Sequence, residues 1–300
     1  MSKENKRLWL KFLSLFSVIR GYNILIIVIA QYLASVFIMA HHLPLLEVVL
    51  DVNLFLIVVS TALAIASGYL INNFYDSEKD LINRPRKTLL DNYVSQQTKL
   101  GVYFLLNFLS VIIASHVGFK AVLFFSFYIF FLWFYSHKLK KYAFLGTLSA
   151  GTLAIMPFFV IFVYYKNFEL VIFVHALFLF LVIIIRELVK DLENLKGDFT
   201  QNYQTIPVKY NVKFTKKLIS ILVFSTIIPA LVLVTKFDSG YMDYYFMLCV
   251  VLLIIFLWQL WRSAEKLHYL LLHNLLKFVI LLGVFSIVLI DIDVLIRKLF

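Results

Sequence analysis

The chain has 300 residues, 62% of them hydrophobic and 17% aromatic against only 15% charged, with a formal net charge of +11. A soluble domain is about half apolar and about a quarter charged, so that class is excluded and a membrane protein is left. The single cysteine, Cys249, excludes an intramolecular disulfide and a multi-thiolate metal centre, and the nine glycines form no phosphate-cradling loop.

In chain order, Met1 to Leu10 reads as a basic cytosolic tail with no cleaved signal. Apolar windows long enough to cross about 30 Å of hydrocarbon then predict nine helices, near 18–40, 54–73, 98–115, 119–136, 144–165, 169–189, 217–236, 242–262 and 274–291. Pro157 and Pro229 fall inside two of them, where a kink is tolerated if a neighbouring helix satisfies the freed carbonyl. Of the 28 lysines and arginines, 23 lie in the segments on the N-terminal side and 5 in the alternate set. The positive-inside rule therefore places the N-terminus in the cytosol of a cell-membrane protein and the C-terminus outside. Basic loops facing anionic lipid account for the net charge, and no basic-aromatic module argues for a nucleic-acid partner. Asp291 and Asp293 read as the interfacial end of the last helix, and the seven histidines show no metal-ligand pairing.

Two polar segments interrupt this pattern on the cytosolic side. "GYLINNFYDSEKDLINRPRKT", residues 68–88, follows the second helix; "RELVKDLENLKGDFTQNYQTIPVKY", from Arg186, follows the sixth. At about 100° per residue, Asn73, Asp76 and Asp80 fall at about 100°, 40° and 80° from Asn72, which puts all four on one stripe. Measured from Glu187, Lys190, Asp191, Asn194 and Asp198 fall at about −60°, 40°, −20° and 20°. Facing carboxylates repel unless a cation lies between them, and hard oxygen ligands select Mg²⁺ carrying a substrate phosphate. The plainer reading is that both stripes are solvated helix ends; the recurrence of the pattern argues against it.

At these residues the sequence resembles the UbiA-type intramembrane prenyltransferase superfamily over nearly its whole length. Asn72-Asn73-Phe74-Tyr75-Asp76-Ser77-Glu78-Lys79-Asp80 is similar to that family's NDxxDxxxD motif, followed by its Asn-Arg-Pro at Asn83-Arg84-Pro85. Glu187, Asn194 and Asp198 match the second acidic motif, with Lys190 where many members carry Tyr. "YSHKLKK" (135–141) and "TIP" (205–207) are similar to the geranylgeranylglycerol-phosphate geranylgeranyltransferase-like branch that makes archaeal-type ether lipids.

The resemblance implies one all-α membrane domain over 1–300, a multi-pass bundle of about nine transmembrane helices around a central cavity capped by two cytosolic loops. It also implies Mg²⁺-dependent transfer from a prenyl diphosphate donor to a lipophilic acceptor in contact with membrane lipid. A glycerophosphate-type lipid is the favoured acceptor and an aromatic quinone precursor the next. By position, Asn72, Asp76 and Asp80 hold one metal ion and Asn194 with Asp198 another; Asp191 is a further ligand or base, and Lys190 and Glu187 line the site. Arg84, Lys138 and Lys140 are expected on the departing diphosphate. Arg20 and Asn23 in "VIRGYN" either contact substrate or serve as interfacial and packing residues. Asn73 and Asn194 stand where the family has Asp, so a weakened metal clamp and a non-catalytic prenyl-lipid-binding protein form the alternative. A transporter would carry its ionisable residues at mid-membrane, and these lie at the rim.

Overall fold

The computed structural model describes residues 3–237 and 239–291. Thirteen α-helices follow one another: α1 (Lys3–Ile19), α2 (Gly21–Ala34), α3 (Leu45–Val49), α4 (Val52–Asn83), α5 (Pro85–Asp91), α6 (Gln96–Val117), α7 (Phe119–His137), α8 (Ala143–Tyr165), α9 (Leu170–Thr200), α10 (Ile206–Tyr210), α11 (Val212–Lys236), α12 (Met242–Arg262) and α13 (Lys266–Ser286). A π turn, Ser35–Met39, extends α2. Among the described residues there is no strand, only an isolated bridge between Tyr142 and Gln204.

Among the described residues nine helices are long and apolar enough to cross a membrane, and they coincide with the nine predicted windows. The largest departures are in the polar segments, which are not loops. α4 runs on to Asn83 and α9 to Thr200. Apolar windows detect only the stretch in contact with hydrocarbon, whereas these ends keep helical hydrogen bonding and turn their polar faces inward. The expected N-terminal tail is also helical from Lys3. Trp9, Phe12 and Phe16 of α1 are exposed, while Ser14 and Ser17 donate to the Asp91 carbonyl and carboxylate at 3.1 and 2.9 Å. An apolar outer stripe over a polar anchor is how a helix lies in the membrane interface. Asp293, expected at the outer end of the last helix, lies outside the described residues.

α4 is the centre of the bundle, with most of its apolar stretch buried, whereas α6 and α7 are largely exposed through residues such as Phe104, Phe108 and Phe127. Asp51 starts α4 by accepting from the Asn53 and Leu54 N–H groups at 2.9 and 3.3 Å, which satisfies donors that a helix start leaves open. Pro157 inside α8 removes the N–H that would meet the Leu153 carbonyl, and Tyr128 of α7 donates to that carbonyl instead at 3.2 Å.

The contact that matters most for the site joins the ends of α4 and α9. Asn83 Nδ2 donates to the Asn194 carbonyl at 3.3 Å, and Asn83 Oδ1 accepts from the Gly197 N–H at 3.2 Å. A Cβ on residue 197 would stand 2.3 Å from Asn83 Nδ2, so only glycine lets the two helix ends approach this closely.

Candidate active site

That approach sets the two acidic stripes against each other. Lys79 Nζ lies 3.3 Å from Asp76 Oδ1 on α4 and 3.4 Å from Asp198 Oδ1 on α9. Asp76 and Asp198 are both buried. Lys140, from the short turn after α7, is buried as well; its Nζ lies 2.8 Å from Asp76 Oδ1 and donates to Asn72 Oδ1 at 3.1 Å. The turn is held by the Gln204 N–H, which donates to the Lys141 carbonyl at 2.8 Å.

The same attachment brings in the segment after α9. Tyr203 donates its hydroxyl to Asp76 Oδ1 at 3.2 Å, and Thr205 donates to Asp198 Oδ2 at 3.3 Å. Lys79 Nζ lies 4.5 Å from the centre of the Tyr203 ring. Burial, and then the Asp76 carboxylate beside it, raise the Tyr203 phenol above its ordinary pKa, so it remains a donor throughout the physiological range.

Of the residues expected on the first stripe, Asn72, Asp76 and Asp80 share a face, but Asn73 does not. Its Nδ2 donates to Asp91 Oδ2 at 3.2 Å, and its Oδ1 accepts from Lys99 at 2.9 Å. Its angle alone does not separate it from Asp80; the partners Asp91 on α5 and Lys99 on α6 draw its amide to the flank of α4 that packs on those helices. It therefore faces away from the Asp76 carboxylate, contrary to the expectation of a single stripe. Lys138 is a second correction: it is exposed, and Lys140 is the lysine of that turn that points inward.

On α9, Glu187 is buried and pairs with Arg186 at 2.8 Å and with Lys190. Asp191 and Asp80 have no cation within ion-pair distance among the described residues. Asn194 is buried, and its Oδ1 has no hydrogen-bond partner. Arg84 is turned to Glu193 at 3.1 Å, and His273 Nδ1 meets the other oxygen of that carboxylate at 2.7 Å. Arg20 sits with its guanidinium 5.1 Å from the Tyr69 ring centre, and Asn23 donates to the Tyr69 hydroxyl at 3.4 Å. Tyr69 is on the Asp76 face of α4, nearly two turns deeper.

Sequence reasoning missed Lys79 and Tyr203, and it quoted Asn83 in the Asn-Arg-Pro without assigning it a role. A lysine inside an acidic run reads as loop charge, and Tyr203 carries no local signal beyond its nearness to "TIP". Beyond the polar site, an apolar chamber of about 180 Å³, partly open to the surroundings, is lined by Met39, Phe162, His175, Phe178, Tyr245 and Phe246, among others. It also reaches Val182 on α9, about 14 Å along the helix from Asp191 at 1.5 Å per residue.

The structure is thus a helical membrane bundle with a buried carboxylate and amide cluster at one end and, further along α9, a separate apolar chamber. The profile of the UbiA prenyltransferase family matches residues 28–275. The chain belongs to that family. It is 32% identical over 165 residues to a digeranylgeranylglyceryl phosphate synthase of Thermococcus sibiricus, covering 55% of this chain and 58% of that one. A protein of the same name from Methanobrevibacter smithii is 27% identical over 242 residues, covering 75% and 80%. The first match thus spans less than two thirds of its relative's length. In fold, the chain is similar to a solved structure of a digeranylgeranylglyceryl phosphate synthase, with a TM-score of 0.70 at 23% identity over 93% of this chain and 98% of that one. It is also similar to a UbiA homologue from Archaeoglobus fulgidus bound to GPP and Mg²⁺, with a TM-score of 0.66 at 13% identity, covering 92% and 99%.

Proposed function

We propose that this chain, acting as one membrane domain over 1–300, transfers a prenyl group from an isoprenyl diphosphate to the hydroxyl of a glycerophosphate-type lipid. An aromatic quinone precursor is the second choice of acceptor. The observation that carries the reading is the meeting of Asp76 and Asp198, from helices far apart in sequence, across a single ammonium at 3.3 and 3.4 Å. The names of the relatives support the choice of acceptor, and the excess of Lys and Arg on the side bearing the site supports a cytosolic orientation in the cell membrane.

Mg²⁺ fits the donor set, which is made of carboxylate and amide oxygens, including the unpartnered Asn194 Oδ1. No three His, Cys, Asp or Glu side chains among the described residues are gathered to hold an ion, and Lys79 and Lys140 both lie against Asp76. Asp80, Asn194 and Asp198 are the residues that would hold Mg²⁺, with Asn72 and Asp76 bound to Lys140 beside them. When bound, the ion neutralises charge that develops on the leaving diphosphate.

The remaining steps belong to the chain itself. Lys140 and Lys190 donate to diphosphate oxygens as the allylic C–O bond breaks and its electron pair leaves with the diphosphate. The apolar chamber takes the far end of the tail, and the apolar faces of the spanning helices keep water from the allylic cation. The acceptor hydroxyl oxygen forms the new C–O bond and gives its proton to Asp191, which no cation ties down. Asp76→Ala abolishes prenyl transfer in membranes supplied with labelled prenyl diphosphate and Mg²⁺ while protein abundance is unchanged; near-normal transfer by that variant would remove Asp76 from the site.

A further inference from the structure

Lys79 sits where a divalent ion would join the two stripes. Its ammonium touches one carboxylate from each helix, at 3.3 and 3.4 Å, and is mostly buried. The Tyr203 ring closes one side at 4.5 Å. Lys140 adds a second ammonium, 2.8 Å from the same Asp76 oxygen. An isolated buried ammonium is unfavourable, and these carboxylates are what make this one tolerable.

Charge counting carries the argument further. The facing stripes bring four carboxylates, Asp76, Asp80, Asp191 and Asp198, and Lys79 and Lys140 offset two of them. What remains on these side chains, before the charge of a diphosphate is added, is two negative charges, which one divalent ion balances. The oxygens still without a cation are those of Asp80, Asp191 and Asn194. A lysine ammonium has three protons, so it can hold both carboxylates and still donate to a diphosphate oxygen, as a bridging cation would.

We propose that Lys79 is a resident cation of this clamp, taking the place of a second divalent ion, so that the diphosphate-loaded protein holds one. This deepens the prenyl-transfer reading and rests on it. Removing the ammonium frees Asp76 and the Oδ1 atom of Asp198 to take a further ion, whereas Arg at the same position preserves the charge.

The test counts ions rather than turnover. Full-length protein in detergent is titrated with Mn²⁺ in the presence of inorganic diphosphate, and bound ions per chain are read from the loss of the free Mn²⁺ paramagnetic resonance signal. The expected count is one for the wild type, two for Lys79→Met and one for Lys79→Arg. Two ions on the wild type, or an unchanged count in Lys79→Met, overturns the proposal. If Lys79→Met does not fold, the wild-type count still decides. A parallel assay with labelled prenyl diphosphate separates the two readings. One ion with no transfer to any acceptor sinks the transfer reading and leaves the ion count standing, whereas two ions with transfer intact sink only the role of Lys79. No bound Mn²⁺ at all overturns both.

Discussion

Replacing Gly197 by Ala tests whether the joint between α4 and α9 holds the site together. The added methyl would lie 2.3, 2.6 and 2.7 Å from the Nδ2, Cγ and Oδ1 atoms of Asn83, so the Asn83 side chain must leave. Its two hydrogen bonds, to the Asn194 carbonyl and from the Gly197 N–H, go with it. At about 1 kcal/mol each they contribute about 2 kcal/mol, and overpacking adds about 1–3 kcal/mol. Ala in a helix interior returns about 1 kcal/mol relative to Gly. The expected net loss is about 2–4 kcal/mol by these figures. In an Asn83→Ala background the obstruction is gone, so the same change should be neutral or stabilising by up to about 1 kcal/mol. Reversible unfolding in mixed micelles, run on the two single variants and the double variant, measures the change of sign. A Gly197→Ala effect that is equal in both backgrounds would refute the packing argument.

Three further outcomes follow from the same geometry. Asn194→Asp should tighten Mg²⁺ binding, because its unpartnered oxygen is at the site, whereas Asn73→Asp should leave it unchanged, because residue 73 faces Lys99 and Asp91; Mn²⁺ titration compares the two. Lys140→Met should weaken prenyl diphosphate binding by tenfold or more, about 1.4 kcal/mol for one charge-assisted contact, and Lys138→Met should stay within about twofold because that side chain is exposed. Chelation of divalent ions should abolish transfer and retention of the prenyl diphosphate together, and Mg²⁺ should restore both in a filter-binding and product assay.

The bundle was legible because hydrocarbon contact imposes long apolar windows, and nothing in the tertiary structure overrides that demand. The acidic stripes were legible for a similar reason: helical geometry alone sets Asp76 near Asp80, and Asp191 near Asp198. Their limits were not. A helix end whose polar side faces protein looks like a loop in sequence, so the last turns of α4 and α9 were read as loops. Asn73 lay at the edge of its stripe, and what decided its direction was Lys99 on α6, a neighbour no local pattern specifies. Arg84 met Glu193 rather than open space for the same reason. With Asn73 engaged by Asp91 and Lys99, Asn194 is the amide of the two that stands among the acidic side chains of α9.

Glu193 gives the protein an order of assembly. The carboxylate sits on α9, yet it is satisfied by Arg84 at the end of α4 and by His273 on α13. Chains are made from the N-terminus, so while α9 is being inserted only Arg84 is at hand, and the second oxygen waits for the last helix to be synthesised. An unmatched buried carboxylate is strongly unfavourable. A chain that lacks residue 273 therefore leaves one oxygen of Glu193 without its His273 partner.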